Sequence, residues 1–139
     1  MKSAILATTC FVDRPGLPPG LAQRRADNFV LAAESWAKHF TGAKFDLLVI
    51  SDDGSDPDIL ADALTRLPLK FRKRLLFVPS RTGRTGIGGS LNRAMQAIDE
   101  RGIDWHFFAH DDWQATAPVD LAGPVALLAR GYGSVRLGP

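Results

Sequence analysis

Apolar positions along the chain fall into two kinds of run that alternate. Ala4–Phe11, Phe45–Ile50 ("FDLLVI"), Leu75–Pro79 ("LLFVP") and Trp105–Ala109 are short and almost continuously apolar. Such runs predict strands covered on both faces. Between them the spacing changes. From Leu21 to Phe40, the residues Phe29, Ala32, Ala33, Trp36, Ala37 and Phe40 follow one helical stripe, and Gly42 is its stop. Asp56 then Pro57 predicts an N-cap and first turn, continued helically by Ile59, Leu60, Ala63, Leu64 and Leu67. Leu91–Asp99 predicts a third helix. Pro118–Arg130 predicts a fourth, interrupted by Gly123 and Pro124. "SVRLG" (Ser134–Gly138) reads as a fifth strand. The order β-α-β-α-β-α-β-α-β implies an α/β fold, a mainly parallel sheet with helices on both faces. No repeat, low-complexity segment or linker interrupts it, so residues 1–139 read as a single domain.

Composition narrows the picture. The chain has 139 residues, enough to bury a real core. Seventeen Lys and Arg against fifteen Asp and Glu leave a net charge of +2, a small imbalance without a basic tail. The basic run Lys70–Arg74 carries a single aromatic, Phe71, too few to stack successive bases, so it reads as a solvated turn and no nucleic-acid partner is expected. Cys10 is the single cysteine, which excludes an internal disulfide and fits a reducing compartment. No apolar run approaches the ~20 residues of a membrane span. "MKSAILATTC" is too short in its apolar part for a signal peptide and reads as the first strand. A cytoplasmic location is the expectation.

Chemistry-bearing residues collect after the predicted strands, where parallel sheets of this kind bind ligands. "SDDGS" (Ser51–Ser55) is ordinary turn chemistry in isolation. Placed directly beyond a buried strand, its carboxylates are also suited to a base N–H or ribose hydroxyls. Arg81–Ala94 ("RTGRTGIGGSLNRA") carries four glycines. It fails as a dinucleotide fingerprint, because Leu91 stands where the third glycine belongs, and it has no P-loop Gly-Lys-Ser/Thr. The reading left beside a flexible connection is a loop whose N–H groups and arginines approach a diphosphate at a helix N-terminus, with Ser90 and Asn92 capping. "AHDDW" (Ala109–Trp113) pairs two carboxylates, a set that suits a hard divalent cation. His110 reads as a surface residue, Trp113 as packing, His39 and His106 as structural, and Cys10 as a buried small residue.

"VISDDGS", "GIGGSLNRAM" and "FFAHDDW", in that order and at that spacing, resemble the Rossmann-like nucleotide-sugar half of GT-A fold glycosyltransferases, particularly family two. The resemblance runs from about Ala4 to Gly138. It implies a transferase that takes a nucleotide-diphosphate sugar, a UDP-sugar favoured, with Mn²⁺ or Mg²⁺. The sugar would pass with inversion to an acceptor on a glycan, protein or lipid. It implies that Thr8 and Thr9 lie near the nucleobase and that Asp52 or Asp53 binds the nucleoside. Arg81 or Arg84 would contact base or phosphate, and Asp111 with Asp112 would hold the metal. Ala109 stands where an Asp-x-Asp-Asp motif has its first carboxylate. The acceptor portion and catalytic base of such families follow the strand that "SVRLG" resembles, so no base is named. A donor-binding fragment, a domain completed by a partner chain, and a truncated product stay open. So do two other functions: a non-catalytic nucleotide-binding or assembly module, and, ranked last, a nucleotidyltransferase.

Overall fold

The structure, a computed structural model, describes residues 1–137. Its elements in chain order are β1 (Ser3–Thr9), α1 (Leu21–His39), β2 (Phe40–Thr41), β3 (Leu47–Asp52), α2 (Pro57–Arg66), α3 (Leu69–Arg72), β4 (Leu75–Val78), α4 (Gly86–Glu100), β5 (Trp105–Phe108), β6 (Val119–Asp120) and α5 (Ala122–Ala129). Four strands form an all-parallel sheet in the order β4-β3-β1-β5.

The two central runs, β1 and β3, are covered on both faces, whereas the edge strands β4 and β5 are covered in part and Phe77 is exposed, short of the full cover expected for them. Ile5, Ala7, Leu48 and Ile50 point to one face, against Ala26, Phe29, Ala33 and Trp36 of α1 and Leu60 and Ala63 of α2. Ala4, Leu6 and Val49 point to the other, against Ala94 and Ile98 of α4. The sheet thus has helices on both faces, as the alternating runs predict.

From β1 the chain winds outward through β3 to β4. The α4 crossover then carries it back over the sheet to β5, on the far side of β1. The winding direction reverses between β1 and β5, so the crevice beyond their carboxyl ends is the topological switch point. Thr8 stands opposite Ser51, Thr9 opposite Asp52, and Leu6 opposite Phe108.

Four expectations change. Helix α4 begins at Gly86, five residues before the predicted Leu91. The predicted helix over 118–130 is split: Val119–Asp120 pairs with Phe40–Thr41, and only Ala122–Ala129 is helical. Gly42 makes that pairing possible at φ +73°, since a Cβ there would overlap the Asp120 carboxylate. Ser134–Leu137 lines a cleft beside β5 without pairing as a strand, and Gly138 lies outside the described residues. The basic run at Lys70 is helical in part, as α3. Among the described residues, no helix is long and apolar enough to cross a membrane.

Candidate functional site

Adjacent aspartates after a strand do not share surroundings, because successive side chains alternate between faces. Asp52 turns to the α1 side. Its Oδ1 accepts from Thr9 Oγ1 at 2.7 Å and from Ser55 Oγ, and its Oδ2 from the backbone N–H groups of Gly54 and Ser55 at 3.0 and 2.9 Å. Phe11 N in turn donates to Ser55 Oγ at 2.7 Å, so the end of β1 and the "SDDGS" turn are one bonded unit. Asp53 turns to the α4 side. Its Oδ1 accepts from Thr85 N at 2.7 Å and Thr85 Oγ1 at 2.8 Å, its Oδ2 accepts from Gly86 N at 2.8 Å, and Arg93 Nη2 lies 3.5 Å away. Burial pushes the Asp53 carboxyl up, but Thr85, Gly86 and Arg93 outweigh it and hold the group below the ordinary carboxylate value.

Each carboxylate has roughly four acceptor positions, and the chain fills them in both residues. Asp52 and Asp53 are 5% and 6% exposed. Nucleoside recognition by either side chain would have to displace a bond that holds the fold. The N-terminus of α4 is taken as well, since Asp53 sits where an incoming phosphate would otherwise meet free N–H groups.

Other acidic residues at this edge do the same work. Asp13 accepts from Ala22 N at 2.9 Å and Gly20 N at 3.4 Å, at the start of α1. Asp56 caps α2 through Asp58 N and Ile59 N at 3.0 and 3.1 Å. Helices of a parallel sheet begin near the carboxyl ends of the strands, so carboxylates collect there partly to satisfy helix N–H groups.

Asp111 and Asp112 cap no helix. They follow β5 in a turn closed by Trp113 N donating to His110 O at 3.1 Å. Helix α1 holds this turn at three points. Arg25 Nη2 pairs with Asp111 Oδ2 at 3.3 Å, Trp36 Nε1 donates to Trp113 O at 2.7 Å, and Ala115 N donates to Ser35 Oγ at 2.9 Å. The Trp113 ring packs on Phe40 and Phe107, which fits the packing role expected for it. His110 is exposed, edge-on to Phe108. The Asp112 carboxylate is exposed and accepts no hydrogen bond from the described residues.

Burial raises the Asp111 carboxyl above its ordinary value of 3.8; Arg25 opposes this and Asp112 adds to it. Folding therefore favours protonated Asp111. Its contribution to stability is greatest below the ordinary value and falls as pH rises through the folded one. Asp111→Asn removes that slope. Melting temperatures of variant and wild type, followed from about pH 4 to 7, should diverge in the variant's favour as pH rises. Parallel curves would mean that ionised Asp111 costs the fold nothing.

The Arg81–Gly86 loop closes the other side. Arg81 and Arg84 are exposed, and the Arg84 stem lies over Gly54, whose φ of +84° and bare Cα let the loop approach. A Cβ on Gly89 would overlap the Thr85 side chain, which explains one glycine of the run by close packing. Ser90 does not cap α4. It is fully buried and donates to Ser51 O at 3.0 Å, while Ser51 Oγ donates to Ser90 O at 2.8 Å. These bonds draw α4 onto β3. Thr8 is half-buried on the α4 side of β1, between the arginine loop and the acidic turn.

The structure thus gathers Thr8, the Arg84 loop and the Asp111–Asp112 turn around the ends of β3, β1 and β5. Neighbouring strands lie about 4.8 Å apart, so the two flanks stand on the order of 10 Å from each other. Three residues whose part at this edge had no sequence signal are integral to it. Arg93 spans Thr85 Oγ1, Asp52 O and Asp53, and Arg25 and Trp36 hold the acidic turn.

Among the described residues, no group of three His, Cys, Asp or Glu could hold a metal alone. Two adjacent carboxylates, one of them free, fit instead a hard cation that takes its other ligands from water and a diphosphate. No protein-family model matches the chain, and no curated protein matches it.

Proposed function

We propose that the sheet edge beyond β1, β3 and β5 binds a nucleotide-diphosphate sugar with Mn²⁺ or Mg²⁺, as a glycosyltransferase of the GT-A kind. The observation that carries this reading is the position of Asp112. Among the described residues it is the carboxylate at the sheet's carboxyl edge that neither caps a helix nor closes a turn nor pairs with a cation, and it stands by the switch point.

In this reading Asp112 holds the cation, and Asp111, fixed by Arg25, is its second oxygen donor. The metal neutralises charge on the nucleoside diphosphate as it leaves the anomeric carbon. Arg81 and Arg84 meet the phosphates from the loop over β3, and Thr8 lies under the nucleoside. Asp52, Asp53 and Thr9 act as positioning residues, because their polar atoms already bond one another and the loops. A cytoplasmic setting, with its supply of nucleotide sugars, accords with this.

UDP and GDP titrated with and without Mn²⁺ should raise the melting temperature only in the presence of the metal. Asp112→Asn should abolish the metal-dependent part and leave the apo transition unchanged, since the side chain is exposed. Nucleotide stabilisation that survives in Asp112→Asn with its metal dependence intact would remove the acidic turn from the site. Donor-sugar turnover then separates a transferase from a non-catalytic nucleotide-binding module.

A further inference from the structure

A cavity opens at the opposite, amino end of the sheet, on the α1 face, with a volume of about 560 Å³. Ile5, Trp36 and Leu48 lie beneath it, all fully buried, so its accessible apolar surface comes from the residues above them. Phe40 and Phe45 form walls, and Leu69, 57% exposed, forms a lip. Four cations ring it: Lys44, Lys70, Lys73 and Arg74. No carboxylate lines it, and none of the four joins an ion pair among the described residues.

Two of these cations are fixed in place. Lys70 Nζ donates to Ala37 O at 2.6 Å, in the last turns of α1, and Arg74 Nη1 donates to Phe45 O at 2.7 Å. Carbonyls orient the head groups without neutralising them. An ammonium carries three donors and a guanidinium five, so most remain open. Burial pushes the Lys70 amine below its ordinary value, and Arg74 pushes it further. The like charges are therefore close enough to repel and are uncompensated. A counter-anion at the rim would offset the repulsion.

An apolar pocket of ordinary ligand size, ringed on its mouth by cations, complements a molecule with an aliphatic body and an anionic head. We propose that this cavity binds a single-chain amphipathic anion, its tail against Phe40, Phe45 and Leu69 and its carboxylate or phosphate among Lys44, Lys70, Lys73 and Arg74. The site is independent of the nucleotide reading, because it lies at the other end of the strands.

The test is calorimetric titration of the full chain with dodecanoate, dodecyl phosphate, dodecanol and dodecylammonium, each below its micelle-forming concentration. Either anion should bind at least tenfold more tightly than the alcohol, and the ammonium should not bind. Dodecanoate above dodecyl phosphate assigns a carboxylate head; the reverse assigns a phosphate. The variant Lys44→Glu/Lys73→Glu changes two exposed side chains without hydrogen bonds. It should lower the anion's affinity at least tenfold with an unchanged melting temperature. Ala43→Trp, at the cavity wall, should block the alcohol and the anions alike. Equal affinity for alcohol and anions, or an unaffected double variant, would overturn the proposal. Sedimentation with phosphatidylglycerol vesicles without binding of any monomeric amphiphile would overturn it too, and would assign the basic rim to a bilayer surface.

Discussion

Trp36→Ala is expected to cost about 3–5 kcal/mol, read as a shift of the denaturant midpoint. Trp36 is fully buried, edge-on to Phe29 at 6.3 Å and stacked on Phe40 at 6.5 Å, so truncation opens a void at the junction of α1 and the sheet. Two effects combine in this residue, and Trp36→Phe separates them. It keeps most of the ring and loses the N–H that reaches Trp113 O. Leaving that carbonyl without its partner should cost about 1–2 kcal/mol. It should also loosen the turn that carries Asp111 and Asp112, so metal-dependent nucleotide stabilisation should suffer more than the fold does. Full retention of that stabilisation in Trp36→Phe would show that α1 does not position the turn.

Asp53→Ala should cost about 2–4 kcal/mol, because it leaves the N-terminus of α4 uncapped and the Arg93 charge without its carboxylate. Arg93 Nε is already buried without a partner, so little in the neighbourhood can compensate. Asp53→Asn keeps one acceptor but turns an amide toward Gly86 N, and about half the loss is expected. The pH dependence has a definite sign. A carboxyl held low in the folded state contributes stability that is present above its ordinary value of 3.8 and is lost as pH falls through the folded value. The acid limb of the wild-type stability curve should therefore be steeper than that of Asp53→Asn. A change within about 0.5 kcal/mol for Asp53→Ala would mean that this carboxylate is free for a ligand instead.

The sheet and its helices were legible because they rest on local patterns. Four apolar runs became its four strands, and the stripe from Phe29 to Trp36 became the buried face of α1. Helix α4 shows where local reasoning ends. Gly86, Gly88 and Gly89 disfavour helix, so Leu91 is the natural start to predict. The helix nevertheless begins at Gly86, because a carboxylate from 33 positions earlier accepts its first N–H groups. Tertiary capping overrides propensity there. The "SVRLG" strand fails for a related reason, since its apolar alternation finds no ladder on β5.

The candidate site was legible in outline only. Asp52, Asp53, Arg84 and Asp111 were visible as residue types placed after strands. Their partners were not, because Thr9, Thr85 and Arg25 reach them across 43, 32 and 86 positions. Two aspartates that look equivalent in "SDDGS" are sent to opposite faces by strand alternation. This sorts helix cap from turn support, and leaves Asp112 as the free carboxylate.

The central place of β1 has a consequence for how the protein is made. Its first edge finds β3 soon after synthesis, as Ala4 meets Leu47, but its second edge waits for Trp105. Until α4 and β5 leave the ribosome, the nascent chain can pair at most three of the four strands, with the central strand β1 open along one side. An unpaired edge is a template for other chains, and pairings so distant in sequence close slowly. The strand synthesised first is thus the last to be sealed, and the crossover helix α4 sets how long it stays exposed.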